Sequence, residues 1–494
     1  ENNSYSITVN ASDGSLTTSL NTLINVTNVN EANASTHNGK VDAGSSTTLN
    51  SGNDAAVENL MGGTFWGTAG QGIDLNYSFM TTGSSFSTEY NSTGSNGNVQ
   101  YKNGIQNASA AFKAAVADIF NDFSSVSLLN FSEVADNEST VGHLRFGTTT
   151  VENSAFAWRP WNGQDTAGDI WLNSTSNQYN DATKLIDGNY TNSTISHEIG
   201  HALGFGHTQT AYTLGNRTYG TDNAVGGTHN SIPYSVMAYP EYDGDDLNGA
   251  GAGHSNSYSN ITTLMIDDIA ALQHLYGVNE QYNTGNDVYT LGSFDDGTKN
   301  DNYIYASIWD AGGTDTVSWD GQSTVASINL AAGGFCYFGD ITGTDNVGLA
   351  NATFTAGSGL LGIGYNVVIE NAKGGSADDT IVGNSAANIL YGGAGATSID
   401  NLTGGAGADT FVYVLAESST GTCDVITDFT NGTDLIGLED RTFSDLTILN
   451  VPNDGNGGSG TLIKDTASGK GVFFLQSVDA SLIDSNDFVV TDFV

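Results

Sequence analysis

Basic residues are scarce in this sequence. Lys and Arg number 12 against 54 Asp and Glu, which gives the 494-residue chain a formal net charge of −42. Such a charge repels nucleic acid and anionic lipid, so we expect neither as a partner. Divalent cations are the natural counterions, although a solvated surface like that of salt-adapted proteins explains the same composition equally well.

Cysteine, proline and long apolar runs are scarce as well. Cys336 and Cys423 are too few for a disulfide framework, although the two could form one bridge. No apolar run approaches the roughly 18 residues that a membrane-spanning helix needs, which argues against membrane insertion. With 4 Pro but 63 Gly, the composition predicts a turn-rich, mostly β protein. The length indicates about two to four domains.

The N-terminal residues 1–55 differ in pattern from the rest. Residues 1–33 alternate apolar and polar residues twice around the turn signal ASDGS, which predicts a β-hairpin. Residues 34–53, rich in Ser, Thr, Asn and Gly, predict a linker. The stretch SYSITVNASDGSLTTSLNTLINVTNVNEA is similar to the closing strands of a bacterial cadherin-like repeat, and we interpret it as a remnant of an upstream module. Because the chain begins at Glu1 without a leader, we expect a longer precursor.

Three helical patterns and four strand-like stretches follow. In NGIQNASAAFKAAVADIFNDF, apolar residues recur with helical period at Ile105, Ala108, Phe112, Val116, Ile119 and Phe123. The predicted strands are SLLNFSEV, HLRFGT, SAFAWRP and GDIWLN. A second helix carries HEIGHALGFGH and has the capping candidates Asn192, Ser193 and Thr194. A third, ITTLMIDDIAALQHLYG, should end at Gly277.

The stretch HEIGHALGFGH, residues 197–207, concentrates possible metal ligands. On a helix, His197 and His201 project from one face a turn apart, so their imidazoles can chelate one ion. Gly204 permits a backbone conformation that other residues resist, which can bring His207 to the same ion. Three neutral imidazoles on zinc leave a position for water, whose pKa then falls towards about 7. Glu198 could take the proton of that water and pass it to a leaving amine.

The alternative is that these are unrelated surface or core histidines. With eight His in the whole chain, three at these offsets together with a glutamate and a glycine would be a rare coincidence. We therefore favour the metal site.

The longer motif resembles that of the metzincin metalloproteases, HExxHxxGxxH, and consists here of His197, Glu198, His201, Gly204 and His207. Metzincins also have a Met-containing turn beneath the zinc, and SVMAY supplies Met237. Tyr239 matches the position of a further zinc ligand in the serralysin branch, one that swings away as substrate binds and then stabilises the oxyanion. The resemblance implies a zinc endopeptidase with Glu198 as general base and acid and four zinc ligands: His197, His201, His207 and Tyr239.

The likeness to serralysins extends from about Gly62 to Val494. It includes FSEV, FGTTT, SAFAWRP, GQDTAGDIWLN, IDDIAALQHLYGVN, NTGNDVYTL, WDAGGTDTVSW, VVIENAKGGSADDTIVGNSAANILYGGAG, GADTFVY and VITDFTNGTDLIGL. In that family the strand corresponding to SAFAWRP forms the upper rim of the cleft and pairs with extended substrate, which implies substrate contacts by Ala155, Phe156, Ala157 and Trp158. Phe156 and Trp158 would share one face of the strand, and a buried strand explains these aromatic side chains equally well.

Beyond Gly277 a nine-residue repeat replaces the helical patterns. Its units, GGSADDTIV, GNSAANILY, GGAGATSID and GGAGADTFV, begin at Gly374, Gly383, Gly392 and Gly404. Such a period, with glycines in the turn, predicts a parallel β-roll that binds calcium between turns. The sixth position of each unit should carry the ligating residue and reads Asp379, Asn388, Thr397 and Asp409. The third unit is therefore expected to be defective, with fewer calcium ions than usual.

The resemblance implies further calcium ligands outside and inside the repeat. Between protease and roll the family sites correspond to Asn283, Gly285, Asp287, Asp310, Gly312, Gly313, Asp315, Val368 and Glu370. In the roll they correspond to Gly374, Asp379, Asn388, Gly392, Gly393, Gly395 and Asp409. Carboxylate and carbonyl oxygens suit Ca²⁺. We expect one catalytic Zn²⁺ and several structural Ca²⁺ ions.

Together these patterns predict three parts: an N-terminal leader (1–55), an α+β metzincin catalytic domain (56–277) and an all-β parallel β-roll and sandwich domain (278–494). Serralysins leave bacteria through a one-step secretion channel that reads the C-terminal region, and the ending DFVVTDFV is similar to such tails. The resemblance implies a secreted monomer that cleaves extracellular proteins and folds outside the cell as calcium binds. The alternative is a calcium-dependent surface or adhesion protein with an inactive protease fold, and Glu198 argues against it.

Overall fold

The structure is a computed structural model of the chain. It describes residues 5–12, 17–24, 43–45, 57, 60–86, 90, 101–102, 104–150, 155–175, 178–208, 212–214, 217–219, 229, 231–238, 261–294, 303–339, 341–342, 353–354, 358–395, 398–414, 423–439, 441–452, 459–491 and 493.

The helices of this described part are α1 (Ala110–Val126), α2 (Tyr190–Leu203) and α3 (Ile266–Tyr276). The strands up to residue 219 are β1 (Tyr5–Ser12), β2 (Thr17–Ile24), β3 (Ala43–Ser45), β4 (Thr64–Trp66), β5 (Ile73–Phe79), β6 (Leu129–Glu133), β7 (Leu144–Thr149), β8 (Ala155–Ala157), β9 (Asp169–Asn173), β10 (Tyr212–Leu214) and β11 (Arg217–Tyr219). The later strands are β12 (Val288–Tyr289), β13 (Tyr303–Ile308), β14 (Thr316–Ser318), β15 (Ala326–Asn329), β16 (Phe335–Phe338), β17 (Ile341–Thr342), β18 (Thr353–Phe354), β19 (Ser358–Ile363), β20 (Asn371–Lys373), β21 (Thr380–Val382), β22 (Ile389–Tyr391), β23 (Asn401–Thr403), β24 (Thr410–Val414), β25 (Asp424–Ile426), β26 (Leu435–Glu439), β27 (Leu446–Val451), β28 (Gly460–Asp465), β29 (Gly471–Gln476) and β30 (Phe488–Val490).

The N-terminal residues form the predicted hairpin. Strands β1 and β2 pair antiparallel, from Tyr5 opposite Ile24 to Ser12 opposite Thr17. The linker prediction for residues 34–53 is wrong at 43–45, because these residues form β3, which pairs antiparallel with β4. A backbone ladder therefore ties this segment to the strand that follows it in the chain.

A five-stranded sheet, in the order β6-β5-β7-β9-β8, carries the first half of the chain. Its strands are parallel except β8, which runs antiparallel to β9 and is the terminal strand of the order. Every residue of β7 and β9 is buried. Burial of both faces is typical of the central strands of a parallel sheet. The four predicted strands are thus confirmed, and β8 lies at the edge.

Helix α1 packs its predicted apolar face into the core. The residues buried on that face include Phe112, Val116, Ile119 and Phe123. The helix begins later than the periodicity predicted, because the Oγ of Ser109 accepts a hydrogen bond from the Phe112 N–H at 3.1 Å and caps it.

Helix α2 begins earlier than predicted. Its N-cap is Asn189, whose side-chain oxygen accepts from the Thr191 N–H at 3.1 Å, so the predicted caps at 192–194 are wrong. The helix ends at Gly204, whose φ is +116°. A Cβ there would lie 2.3 Å from the carbonyl oxygen of Thr64, so both the conformation and the packing require glycine. Helix α3 ends at Gly277, as predicted.

The second half of the chain forms two large sheets. One has the order β12-β14-β20-β22-β24-β26-β30 and the other β13-β19-β16-β15-β21-β23-β25-β29-β28-β27. Consecutive strands from β20 to β26 alternate between the two sheets and pair in parallel within each. Between the sheets lie buried apolar side chains such as Ile381, Leu390, Leu402 and Phe411. These alternating parallel strands are the predicted roll, and the predicted fold class is confirmed.

In the third repeat unit an aspartate lies where the sixth-position residue lies in the other units. In the first, second and fourth units the sixth-position side chain lies against the first glycine. A Cβ on Gly374 would be 2.6 Å from Asp379, and one on Gly404 would be 2.3 Å from Asp409. A Cβ on Gly392 would be 2.5 Å from the Oδ2 of Asp400, which takes this place in the third unit. The unit has three extra residues before this aspartate, and Thr397 lies outside the described residues. The expectation of fewer calcium ions than usual stays a prediction.

The two halves are packed together through α3. Ile266 and Gly362 are in close contact, and the Tyr365 hydroxyl donates to Asp267 on α3 at 2.9 Å. Cys336 and Cys423 are both free, so they form no bridge. None of the helices in the described residues is long and apolar enough to cross a membrane.

Candidate metal and catalytic site

Three imidazoles from α2 and the loop after it converge. The Nε2 atom of His207 lies 2.9 Å from that of His201 and 3.1 Å from that of His197. Helix α2 places His197 and His201 one turn apart, and the left-handed Gly204 turns the chain so that His207 returns to them. Three nitrogens this close, with no acid among them, form a ligand set for a borderline metal such as zinc.

The opposite ring nitrogens are held by backbone carbonyls. The Nδ1 of His197 lies 2.8 Å from the carbonyl oxygen of Val236, and the Nδ1 of His201 lies 2.9 Å from that of Phe205. A carbonyl can only accept, so each Nδ1 carries the proton and each Nε2 keeps its lone pair. These contacts orient both rings for metal binding.

The surroundings keep the imidazoles neutral. Burial lowers the pKa of His207 to about 3, helped by the charges of His197 and Arg159. Burial also lowers the pKa of His201 well below its usual value. Neutral imidazole is the form that binds a metal ion, so the pocket favours coordination over protonation.

Glu198 lies buried beside the first histidine, and 5% of its surface is exposed. Burial raises the pKa of its carboxyl to about 8. Its Oε2 atom is buried and has no hydrogen-bond partner among the described residues, as expected of a group whose partner is a water or a substrate. A cation held by the histidines would lower this pKa again, towards the range in which a carboxylate exchanges protons efficiently.

Met237 lies beneath the site and is fully buried. A Cβ on Gly200 would be 2.6 Å from the Met237 sulfur, so the glycine between the two helical histidines leaves space for this side chain. Gly200 stands at an unspecified position of the HExxH pattern, which names only the residues that carry chemistry. Its role became visible only from the packing.

Asp268, on the first turn of α3, fixes the turn that contains Met237. This buried carboxylate accepts hydrogen bonds from the Ser235 hydroxyl at 2.7 Å, the Val236 N–H at 2.8 Å and the Met265 N–H at 3.0 Å. Val236 is the residue whose carbonyl holds His197. Sequence reasoning missed Asp268, although an acid in the first turn of an otherwise apolar helix was a signal for it.

A short N-terminal segment holds the loop that carries His207. The Gly62 N–H donates to the Gly204 carbonyl at 2.6 Å, and the Gly206 N–H donates to the Leu60 carbonyl at 2.6 Å. Met61 and Phe205 form an antiparallel bridge between these two bonds. The backbone between the second and third histidines is therefore fixed on both sides.

The side chains of the predicted substrate strand β8 alternate between two faces, as predicted. The Phe156 and Trp158 rings contact the Tyr101 ring, at centroid distances of 5.0 and 5.5 Å, whereas Ala155 and Ala157 pack against the main core. The two aromatic side chains are thus packed within the protein, which leaves the strand's backbone as the group available for a peptide. Tyr239 lies outside the described residues.

Known proteins match the chain over both halves. The family model for Matrixin matches residues 98–230, and the model for the Peptidase M10 serralysin C terminal matches 267–491. The Metallopeptidase AprA of Pseudomonas marginalis is 33% identical over 441 residues, which cover 85% of this chain and 83% of that protein. The chain belongs to the serralysin family. It is a zinc metalloendopeptidase, as predicted.

Two other relatives agree with this assignment. The Metalloprotease AprA of Pseudomonas entomophila (strain L48) is 33% identical over 393 residues, 75% of this chain and 74% of that protein. Serralysin C of Dickeya chrysanthemi is 34% identical over 273 residues, 53% of this chain and 50% of that protein. All are named as peptidases, so they lend no support to the alternative of an inactive adhesion protein.

At the start of the roll, this serralysin brings together three of the predicted calcium ligands. The carboxylates of Asp287, Asp310 and Asp315 have oxygen atoms within 4.8 Å of one another. Glu370 adjoins them, since its Oε2 accepts from the Asp315 N–H at 2.8 Å. The Oδ2 of Asp315 is buried without a hydrogen-bond partner among the described residues, and burial raises its pKa to about 6. Clustered carboxylates of this kind fit a hard cation.

The glycines predicted for this region lie beside these carboxylates. Gly285 and Gly313 are in contact, since a Cβ on Gly313 would lie 1.6 Å from the Gly285 carbonyl oxygen. The Gly312 N–H donates to Asp310 at 2.8 Å. Asn283 instead donates its side-chain amide to the Tyr289 hydroxyl at 3.0 Å, and the Val368 side chain is half-exposed.

Within the roll the polar side chains form two ladders. In the first, which contains Asp379, Asp400 and Asp424, each residue's N–H donates to the next carboxylate, at 2.7 and 2.9 Å. In the second, the N–H of Asn388 donates to Asp409 at 2.9 Å, and that of Asp409 to Asp434 at 3.1 Å. The predicted glycines Gly374, Gly392, Gly393 and Gly395 occupy the turns beside the first ladder.

Proposed function

We propose that His197, His201 and His207 hold the zinc ion of this metalloendopeptidase through their Nε2 atoms. The observation that carries the proposal is the convergence of the three Nε2 atoms while two of the Nδ1 atoms donate to backbone carbonyls. Neutral rings in fixed orientation are what a zinc site requires. By the family resemblance, Tyr239 is the fourth ligand at rest and a stabiliser of the oxyanion during the reaction.

Glu198 is the general base and acid in this proposal. Zinc in such a site acts as a Lewis acid that makes a water more acidic and polarises a peptide carbonyl. Glu198 then takes a proton from the attacking water and gives it to the departing amine, which its buried and unpartnered oxygen allows. Met237 supports the histidines from below, with Gly200 as the contact surface.

The substrate is an extended peptide that pairs with β8. This strand ends the five-stranded sheet, so its outer backbone can accept another strand, with Ala155 to Trp158 as the contact residues. The aromatic side chains of Phe156 and Trp158 stiffen the strand from their packed positions rather than contact the peptide.

We further propose that calcium ions bind at the Asp287, Asp310 and Asp315 cluster and along the first roll ladder. Glycine carbonyls of the neighbouring turns complete these sites, with Asp400 in place of Thr397. The protein is then a secreted monomer, exported through a one-step channel and folded outside the cell as calcium binds. Its parts are residues 1–55, 56–277 and 278–494, with β3 of the first attached to the second.

The test combines casein hydrolysis with metal analysis of the purified full-length chain. Wild type should contain one zinc and cleave casein, and a zinc chelator should abolish cleavage. Glu198→Ala should keep the zinc and lose cleavage, whereas the exposed Glu138→Ala, a matched control, should retain both. A wild type that binds zinc and cleaves no better than Glu198→Ala would refute the proposed mechanism.

A further inference from the structure

Arg159 reaches from the edge of the sheet to the loop of the zinc ligands. The pairing of β8 with β9 extends one residue past β8, since the Trp158 N–H donates to the Asp169 carbonyl at 3.0 Å. Arg159 follows directly, and its Nε–H donates to the carbonyl oxygen of Phe205 at 3.0 Å. The chain has 12 Lys and Arg in total, so a basic side chain next to this loop is unusual for its composition.

The carbonyl that accepts from Arg159 also accepts from a zinc ligand. The Nδ1–H of His201 donates to the same Phe205 oxygen at 2.9 Å. A carbonyl oxygen has two lone pairs, so it can accept both bonds at once. Phe205 is fully buried, and its N–H donates to the Gly200 carbonyl at 2.8 Å, which holds the preceding peptide of the same residue.

His197 is oriented by a matching arrangement. Its carbonyl partner is Val236, whose N–H is held by the carboxylate of Asp268. Each helical histidine therefore donates to the carbonyl of a residue whose backbone is hydrogen-bonded to an ionisable side chain of another element. For His197 that side chain is an acid in the core, and for His201 it is Arg159.

We propose that Arg159 is a positioning residue that orients His201 through the shared Phe205 carbonyl. This inference rests on the proposed function, in which His201 is a zinc ligand. Loss of Arg159 removes one of the groups that hold this carbonyl, while the Gly206 N–H of the same peptide stays bonded to Leu60. The oxygen can then shift, which weakens the Nδ1–H bond and lets the imidazole tilt away from its metal-binding orientation.

Loss of Arg159 has two opposing effects on zinc affinity, one through its charge and one through its hydrogen bond, and the larger effect decides the result. Its positive charge repels a zinc ion, so removal of the charge favours zinc, but the half-buried guanidinium is screened by water and salt. Loss of a contact that orients a metal ligand lowers metal affinity about 10- to 100-fold. We therefore expect the positioning effect to dominate.

Arg159→Met and Arg159→Gln form a matched pair for the test. Both retain the length of the arginine side chain up to its Nε, but only glutamine places an N–H donor there, and neither carries the charge. Zinc affinity is measured on the full-length protein by competition with a chromogenic chelator, together with kcat and KM for a peptide substrate and the unfolding temperature of the zinc-free forms.

Arg159→Met should weaken zinc binding about 10-fold or more and lower kcat, with KM within about twofold of wild type. Arg159→Gln should restore the affinity to within about threefold of wild type. Wild-type affinity in Arg159→Met, or equal weakening in both variants, would overturn the inference, since the second result shows that an N–H donor at this place does not restore zinc binding. Failure of the proposed function is a separate result, namely that His201→Ala binds zinc as tightly as wild type.

Discussion

The two halves of this serralysin arrange their proposed cation ligands in opposite ways. In the catalytic half, single side chains from separate elements meet once, as when His197 donates to Val236, 39 residues away. In the roll, one pattern recurs from turn to turn, and each rung links a backbone N–H to a carboxylate 21 to 25 residues further on. We infer that the catalytic half has irreplaceable residues, whereas the roll distributes its function over similar units.

The largest expected effect of a single change is at Glu198. Glu198→Gln keeps the shape of the side chain but removes its ability to take a proton, so kcat should fall about 100- to 10,000-fold. Zinc content, measured by atomic absorption, should stay at the wild-type level because no ligand is lost. Unchanged kcat would mean that another group moves the proton.

A buried ion pair is the next most sensitive point of the catalytic half. Arg145 and Asp136 are 2.9 Å apart, and their side chains are 1% and 0% exposed. Asp136→Asn removes the carboxylate that makes two hydrogen bonds to the buried Arg145 and leaves it only the more distant Asp169, at 3.8 Å. The free energy of unfolding should therefore fall, by up to about 3–5 kcal/mol in urea titrations. The exposed pair of Lys113 and Glu133 provides the control, since Glu133→Gln should change the free energy of unfolding by less than about 1 kcal/mol.

The same pair predicts a pH dependence. Burial alone would raise the pKa of Asp136, but the hydrogen bonds and charge of Arg145 outweigh it and hold this pKa below its usual range. A carboxyl with a lowered folded-state pKa stabilises the fold above its unfolded pKa of about 3.9, and this contribution is lost as the pH falls through the folded value. The difference in unfolding free energy between wild type and Asp136→Asn should therefore shrink below about pH 4.

Gly200→Ala should have an intermediate effect. The new Cβ would lie 2.6 Å from the Met237 sulfur, so the fully buried methionine must move, at a cost of about 1–3 kcal/mol. Zinc affinity should fall with it, because the same helix carries His197 and His201. Gly292→Ala, with its nearest neighbour 3.5 Å away, should leave both the unfolding temperature and zinc binding unchanged.

The smallest expected effect is in the roll. Asp400→Asn keeps the oxygen that accepts from the Asp379 N–H, so without calcium the unfolding temperature should hardly change. With calcium the variant should unfold at a lower temperature and bind at most one ion fewer, as calorimetry can show. A collapse of the whole roll, or no calcium effect at all, would contradict the distributed arrangement inferred above.

Periodic features were predictable from the sequence. The hairpin of β1 and β2, helix α1 and the alternating strands of the roll all follow from spacings of apolar residues and glycines, which local geometry determines. The end of α3 was also correct, since Gly277 adopts a positive φ that favours glycine. The start of α2 was placed too late, because several polar residues that can cap a helix stand side by side and only the backbone selects Asn189.

The third roll unit shows where counting along the chain fails. A fixed period of nine points to Thr397, but three extra residues precede Asp400, and the pairing of β21 with β23 restores the register. The position of a residue in a roll is set by its neighbours in the adjacent coils. The change of spacing in the sequence shows that residues are inserted. It does not show whether the aspartate comes before or after the inserted residues.

The sequence by itself determined the chemistry of this protein, because the offsets of His197, Glu198, His201 and His207 on a helix and turn suffice to gather a metal ligand set with a base beside it. The tertiary structure alone decided how that set is held. The carbonyls of Val236 and Phe205, Asp268, Gly200 and Arg159 come from different elements, and their roles depend on contacts a few ångströms long. Such contacts leave no period in the chain, because each is made only once.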